Sequence, residues 1–162
     1  MPSFARLRGV LHLPALRLAT FVCAVRLQLL LVATLPTAAS AAVIIKDDHG
    51  GNIGVYWSRY SALRDMGEEV IIDGTCSSAC TLLLGIVPYD RICVTQNALL
   101  GFHAAWRPGS LGIKVINQPG TRTLMSFYPT PVRQWIANHG GLGPETIYLF
   151  GPELQAMYKE CP

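Results

Sequence analysis

The sequence predicts an α/β fold in a single small domain, with a mainly parallel sheet assembled from βαβ units. Three observations indicate this class. Short β-branched apolar runs alternate with segments that carry helix start and stop signals. The chain has 162 residues, which suits one domain better than two. Its composition, 51% hydrophobic and 14% charged, supplies a core and argues against a disordered chain.

Residues 1–41 are predicted to be a secretory signal peptide. No acidic residue precedes Asp47, and an arginine-bearing start leads into the apolar run 27–35. The small residues Ala-Ser-Ala at 39–41 then form a cleavage site of the expected kind. The alternative is an uncleaved membrane anchor, but a mostly apolar run of nine residues is too short to cross a bilayer. We therefore expect a periplasmic or secreted protein that begins near Ala42.

The charge distribution argues against nucleic-acid binding. The formal charge is +3, but four of the 13 cations lie in the first 26 residues. Residues 27–162 carry nine cations and ten acids, so no basic stripe remains to neutralise phosphates. No nucleic-acid partner is expected.

Strands and helices are expected to alternate along the predicted domain, 42–162. Short apolar runs predict four strands. These are residues 42–46, 69–73, 91–95 and 99–104. Between the first two, Asn52 is the expected N-cap of a helix that ends at Gly67. Gly74 is expected to turn the chain before a second helix opens at Ser77 or Ser78.

The second half of the domain has weaker local signals. Residues 106–120 contain two Pro-Gly pairs and are expected to form a long loop. Pro131 suits the first turn of a helix over 132–138, which two glycines then end. Pro152 is expected to open a last helical turn that reaches about Tyr158.

The cysteines favour two disulfide bonds in the exported domain. Cys23 lies in the predicted signal peptide, and an even number remains. These four are Cys76, Cys80, Cys93 and Cys161. Zinc is the alternative, because Cys76-x3-Cys80 is a half-site, but the other two cysteines are scattered and no metal is expected.

A pairing of Cys80 with Cys93 and of Cys76 with Cys161 is expected. Cys93 lies on the strand that follows the helix of Cys80, so their Cβ atoms could meet. A direct bond between Cys76 and Cys80 would close a small loop and add little stability, because disulfide stabilisation grows with loop length.

The candidate chemical residues lie at strand-to-helix turns, the edge at which α/β sheets bind ligands. Gly50-Gly51 can let backbone N–H groups approach a ligand oxygen closely. Ser78 at a helix start lies in a field that favours a developing oxyanion. His103 lies within an apolar strand pattern, which would put its imidazole in a mostly apolar setting. Taken singly, Ser78 is better explained as a helix cap and His103 as a core histidine than as catalytic residues.

Taken in order, these residues resemble the Clp protease proteolytic subunit and its crotonase-like superfamily, over about residues 43–105. The matching features are Gly50-Gly51, Gly74-x3-Ser78, Arg91 and Gly101-Phe102-His103. The segment from Cys76 to Thr81 and the end of the chain also resemble an exported, uncharacterised bacterial branch of this superfamily.

The resemblance implies a catalytic set. Ser78 would be the nucleophile and His103 the general base that takes its proton. The backbone N–H groups of Gly51 and Ala79 would form the oxyanion hole. Ser77 stands one position early in the pattern. We expect Ser78 and His103 to come within hydrogen-bond reach, or one water beyond it.

The third member of the family's catalytic set is missing from this sequence. The family has an aspartate well after the histidine, whereas here no aspartate follows Asp90. Glu145 is the best replacement among the remaining acids. Without an orienting carboxylate, a histidine in the wrong tautomer can lose several orders of magnitude in rate.

Two functions of different classes follow. The first is an exported serine hydrolase, a peptidase, that acts on a peptide or a small ester or amide without a cofactor. The second is a non-catalytic binding or structural module in the periplasm, favoured by the missing aspartate and the bracketing cysteines. An enoyl-hydratase-like enzyme finds no supporting residue. The sequence does not decide whether the protein forms a homo-oligomer. No ATPase partner is expected, because the chain is too short for the family's handle helix and is predicted to be exported.

Overall fold

The computed structural model describes residues 42–162, and a central sheet organises them. Eight strands are present in this range: β1 (Val43–Asp48), β2 (Val70–Ser77), β3 (Ile92–Val94), β4 (Leu99–Phe102), β5 (Trp106–Pro108), β6 (Lys114–Ile116), β7 (Ile147–Phe150) and β8 (Lys159–Glu160). Five α-helices accompany them: α1 (Ile53–Met66), α2 (Leu83–Ile86), α3 (Gln118–Phe127), α4 (Thr130–Asn138) and α5 (Gly151–Gln155). The predicted signal peptide and Cys23 lie outside the described residues.

Strand β2 is the centre of the main sheet. It pairs in parallel with β1 along one side, with β3 through its first half and with β4 through its second half. Strand β8 extends the sheet in parallel beside β3, and β7 adds an antiparallel edge beside β4. The predicted α/β class with a mainly parallel sheet in one small domain is confirmed.

Helix α1 forms where the sequence signals placed it. The Asn52 side chain accepts hydrogen bonds from the N–H groups of Gly54 and Val55, at 2.9 and 3.2 Å. These bonds satisfy donors that a helix start leaves unpaired. Gly67 ends the helix at φ +78°, a left-handed conformation that glycine adopts without steric cost. The helix therefore follows the Gly50-Gly51 loop directly and holds its far end.

One apolar core lies on the sheet and beneath the helices. Its largest fully buried side chains come from α1, the turn after β2, the inner strands and α4. They include Tyr60, Ile72, Leu82, Leu83, Ile92, Leu100, Phe102, Tyr128 and Ile136. None of the helices within residues 42–162 is long and apolar enough to cross a membrane.

Gly74 does not turn the chain, because β2 continues through it to Ser77. The register with β1 shifts between Ile45 and Asp47, so that an extra residue of β2 is accommodated there as a bulge. A Cβ on Gly74 would collide with the backbone carbonyl of Lys46. The glycine therefore permits a close approach between two strands, and the turn comes four residues later.

Residues 106–120 are not a long loop. Strands β5 and β6 form an antiparallel hairpin in which Trp106 pairs with Ile116 and Pro108 with Lys114. Helix α3 then begins at Gln118, and its N-cap, Asn117, accepts a hydrogen bond of 3.1 Å from the Gly120 N–H. The prolines that indicated a loop occupy a strand end and the first turn of a helix, both positions that tolerate proline.

The predicted disulfide pairing is wrong. The bonds join Cys76 to Cys80 and Cys93 to Cys161, with Cα–Cα distances of 5.3 and 5.0 Å. Cys76 lies near the carboxyl end of β2, and the tight turn that follows brings Cys80 back beside it. Strand β8, which the sequence did not reveal, places Cys161 next to β3, where the Cys161 N–H donates to the Val94 carbonyl.

Candidate active site

A cavity of about 550 Å³ opens at the carboxyl ends of β1, β2 and β4, and it contains the predicted site residues. Ser78, Ala79, Gly51 and His103 all line it. Apolar side chains supply much of the remaining wall, from Ile53, Ala105, Trp106, Pro108 and Leu124. The fold thus brings together four residues that are spread over 52 positions of the sequence, from Gly51 to His103.

Ser78 occupies a strained backbone position at the start of the helical turn 78–82. Its φ is +58°, a left-handed value that non-glycine residues rarely adopt and that costs on the order of 1–3 kcal/mol. The surrounding contacts hold this conformation. Thr81 Oγ1 donates to the Ser78 carbonyl at 2.7 Å, and the Cys76–Cys80 bond spans the turn. Strain of this kind is typical of serine nucleophiles on sharp strand-to-helix turns.

Ser77 is in a different environment from its neighbour. It is the last residue of β2, paired with Gly101 of β4, and is 7% exposed. A Cβ on Gly101 would collide with the Ser77 hydroxyl oxygen, and that oxygen has no hydrogen-bond partner among the described residues. Ser77 therefore points into the sheet, whereas Ser78 lines the cavity.

The Gly50-Gly51 loop packs directly on the Ser78 turn. Gly50 has φ +77°, and a Cβ there would lie 2.6 Å from the Ala79 nitrogen and 2.7 Å from the Ser78 Cβ. Gly51 is less confined, since the nearest atom to its hypothetical Cβ is a Tyr56 ring carbon at 3.6 Å. Its N–H donates no hydrogen bond within residues 42–162. The Ala79 N–H also has no intrahelical acceptor, because it lies in the first turn.

Asp48 braces this loop, a role that the sequence analysis missed. The Gly50 N–H donates to Asp48 Oδ1 at 2.9 Å, and the Tyr56 hydroxyl donates to the same oxygen. Arg59 approaches the other carboxylate oxygen at 3.4 Å. Burial, followed by the Asp48 hydrogen bond, raises the pKa of Tyr56 to about 12, so this tyrosine remains a donor at neutral pH. An aspartate two residues before a glycine is a turn signal that could have revealed this brace.

His103 follows β4 and is held by the backbone. Its Nδ1 lies 2.7 Å from the Ala104 carbonyl oxygen. Because a carbonyl can only accept, Nδ1 carries the proton, and Nε2 of the neutral ring is left as an acceptor. That is the tautomer required of a general base acting through Nε2. The Ala104 carbonyl therefore fixes the tautomer of the His103 ring.

The expectation that Ser78 and His103 come within hydrogen-bond reach, or one water beyond it, stays a prediction. Both line one cavity, but no direct hydrogen bond joins them within the described part of the chain. Such bonds are often long before substrate binds and tighten in the complex. Glu145 is exposed, and no hydrogen bond links it to His103 within residues 42–162.

No metal-binding group stands out in this region of the chain. Within residues 42–162, no three histidine, cysteine or acidic side chains cluster as a metal site would require. Cys76 and Cys80, the half-site considered for zinc, are bonded to each other and so lack free thiolates.

Similarity to known proteins is found among solved structures and not among protein families or curated sequences. No protein-family model matches the sequence, and neither does any curated protein. Among solved structures, the chain is similar to a mutant of ClpP1 from Listeria monocytogenes. The TM-score is 0.43 at 12% identity, covering 87% of this chain and 80% of that one. At this level of similarity the comparison assigns neither a family nor a function to the chain.

Proposed function

We propose that this chain is an exported serine hydrolase that cleaves peptide bonds, with Ser78 as nucleophile and His103 as general base. One observation carries the proposal: Ser78, in a strained left-handed conformation, lines the same cavity as His103 and two unpaired backbone donors. A serine that only capped a helix would need neither the strain nor the cavity. The N-cap of this turn is Ser77, and no hydrogen bond of the Ser78 hydroxyl occurs within the described residues.

The chemistry follows from these positions. As Ser78 Oγ attacks a substrate carbonyl carbon, His103 Nε2 takes its proton, and a tetrahedral oxyanion forms. The imidazolium then gives the proton to the leaving amine, the C–N bond breaks, and an acyl-serine remains. Water, deprotonated by the same histidine, hydrolyses this ester and restores Ser78. No cofactor is needed for any of these steps.

The oxyanion would be stabilised by backbone donors. The N–H groups of Gly51 and Ala79 both border the cavity and are unused by other elements of the described chain. Donors fixed in this way cost no reorganisation when charge develops, and losing one typically slows catalysis about 10²–10³-fold. The close packing of Gly50 on the Ser78 turn supports the two donors acting on one oxygen.

Export to the periplasm or beyond belongs to the same proposal. It is supported by the predicted signal peptide and by two disulfide bonds, which persist in oxidising compartments. The reducing environment of the cytoplasm would favour free thiols over both disulfide bonds. N-terminal sequencing of protein recovered from the extracytoplasmic fraction tests this part, and a chain that still carries Arg17 would contradict it.

A fluorophosphonate probe tests the catalytic part. We expect the wild-type chain to be labelled covalently, with the adduct mapped by mass spectrometry to Ser78. Ser78→Ala should abolish labelling, and Ser77→Ala is the matched control that should retain it. Absence of labelling in folded wild-type protein would refute the hydrolase.

A non-catalytic binding module is the second candidate. The observation that favours it is the environment of His103, whose ring has no hydrogen bond or ion pair with a carboxylate within residues 42–162. In that case the cavity would bind a ligand without cleaving it. The same labelling experiment discriminates the two, because a binding module has no activated serine to react.

A further inference from the structure

The β5–β6 hairpin, residues 106–116, is exposed at every residue except Gly109, which is half-buried. Every residue of both strands is exposed. At its tip, Leu111 is 98% and Ile113 65% exposed, and Trp106 is 46% exposed at its base. Exposed apolar side chains scattered singly are normal, but this hairpin concentrates them on one projecting element.

The charged residues of the hairpin are all basic. Arg107 and Lys114 are exposed within it, and it contains no acidic residue. The surrounding sequence extends this bias, since no acid occurs from residue 91 to residue 144 while five cations do. Lys114 Nζ lies 4.7 Å from the centroid of the Trp106 ring, so the cation and the aromatic ring share one face. An apolar tip, basic flanks and a tryptophan at the base are features of an element that enters a bilayer interface.

We propose that the β5–β6 hairpin docks this protein onto an anionic lipid surface, with Leu111 and Ile113 inserted among the headgroups and acyl chains. Arg107 and Lys114 would face the lipid phosphates. The inference goes beyond the proposed hydrolase and does not depend on it. Trp106 and Pro108 belong to both the hairpin and the cavity wall, so docking would place the cavity beside the lipid surface.

A second copy of this chain is the less favoured occupant. Two identical hairpins would bring their cations together without any hairpin acid to pair with them. A standard protein interface also engages about 20–30 residues a side, many more than this tip presents. Lipid headgroups supply the missing negative charge, and acyl chains accept a narrow apolar wedge.

An environment-sensitive fluorophore placed on the tip tests the docking directly. In the full-length chain with Cys23→Ser, Leu111→Cys is labelled with a nitrobenzoxadiazole group. Vesicles of phosphatidylglycerol and phosphatidylcholine should shift its emission to the blue, and lipids with a spin label on the acyl chain should quench it. Met66→Cys is the matched control, because Met66 is 62% exposed on α1 and should show neither change.

A charge variant tests the choice of lipid. Replacing Arg107 and Lys114 by glutamine should raise the lipid concentration for half-maximal shift at least about tenfold, since each cation near an anionic surface contributes to binding. The proposal is overturned if the probe at 111 is unaffected by anionic vesicles, or if pure phosphatidylcholine gives the same shift. It is also overturned if the shift appears without lipid and rises with protein concentration, which would identify a second copy as the occupant.

Discussion

Gly50 and Ser78 lie so close that a Cβ on Gly50 would come within 2.7 Å of the Ser78 Cβ. Real Cβ atoms do not approach other atoms this closely, so any side chain at 50 must displace the serine turn. The φ of Gly50, +77°, adds a second restriction. The Gly50-Gly51 loop and the Ser78 turn are therefore fitted to each other.

Gly50→Ala should lower the rate of fluorophosphonate labelling by about 100-fold, because a displacement of roughly 1 Å at a reacting group has that effect. It should also reduce the free energy of unfolding by about 2 kcal/mol, through the left-handed φ. Labelling kinetics and urea denaturation measure the two effects.

Gly51→Ala is the matched control for this substitution. The added Cβ would lie at an ordinary van der Waals distance from its nearest neighbour, a Tyr56 ring carbon, and the substitution keeps the backbone N–H. Stability should change by less than about 1 kcal/mol and labelling by a few-fold at most. Equal losses in both variants would contradict the fitted packing at Gly50.

Ser78→Gly should unfold at higher denaturant concentration than Ser78→Ala. Both remove the hydroxyl, but glycine relieves the left-handed strain while alanine retains it. We expect the free energies of unfolding to differ by about 1 kcal/mol. Urea titrations of the two variants, which are both unreactive with the probe, provide the comparison. A more stable alanine variant would show that Ser78 is unstrained in solution.

Asp48→Asn should slow labelling of Ser78 about tenfold while leaving the fold intact. An amide can still accept the Gly50 N–H, but it holds the Tyr56 hydroxyl and Arg59 less firmly, because charge-assisted hydrogen bonds are the stronger ones. Labelling rates and thermal melting should be measured together. Asp47→Asn is the matched control, since Asp47 is exposed and pairs with His49 rather than with the loop. A similar effect at both positions would point to general electrostatics and not to the brace.

The part of the fold that local signals control could be predicted. The Asn52 cap, the Gly67 stop and the β-branched strand runs each act within a few residues, and the structure follows them. The serine turn was likewise expected at the carboxyl edge of the sheet, where Ser78 lies. For the candidate site, Gly50-Gly51 and Ser78 mark strand-to-helix turns, whereas His103 lies between two strands and was indicated by the resemblance of the ordered set to a known family.

The remaining features depend on contacts between distant segments. Gly74 lies at a β-bulge, where the Lys46 backbone approaches it closely. No local sequence pattern distinguishes a glycine at such a bulge from a glycine in a turn. The two Pro-Gly pairs predicted a loop where the structure has the β5–β6 hairpin. This hairpin depends on pairing between its two strands, which local sequence signals do not show. Strand β8 is two residues long, yet it decides where Cys161 lies and hence the disulfide pairing. The Ala104 carbonyl that orients His103 is a backbone group and leaves no mark in a sequence.

The two disulfide bonds should differ in what their removal costs. The Cys93–Cys161 bond joins residues 68 positions apart, and by the chain-entropy model it stabilises the fold by about 4 kcal/mol. The Cys76–Cys80 bond, with a separation of four, should contribute only about half as much. Paired alanine variants and urea denaturation give the two values.

The same variants separate stability from site geometry. Replacing Cys76 and Cys80 by alanine should slow fluorophosphonate labelling, since this bond spans the Ser78 turn. Replacing Cys93 and Cys161 should leave the labelling rate of the folded fraction within a few-fold. The reverse pattern would mean that the bond across Ser78 has no part in holding the nucleophile.

Glu145→Gln should leave the labelling rate within about twofold, whereas His103→Ala should lower it by about 10²–10⁴-fold, the usual contribution of a general base. The reason is the hydrogen bond from His103 Nδ1 to the Ala104 carbonyl, which fixes the tautomer without a carboxylate. Glu145 is exposed and has no hydrogen bond to the ring within the described residues. Labelling rates across pH 5–9, with thermal melting to confirm folding, measure both variants. A loss of more than tenfold in Glu145→Gln would show that this carboxylate orients the histidine after all.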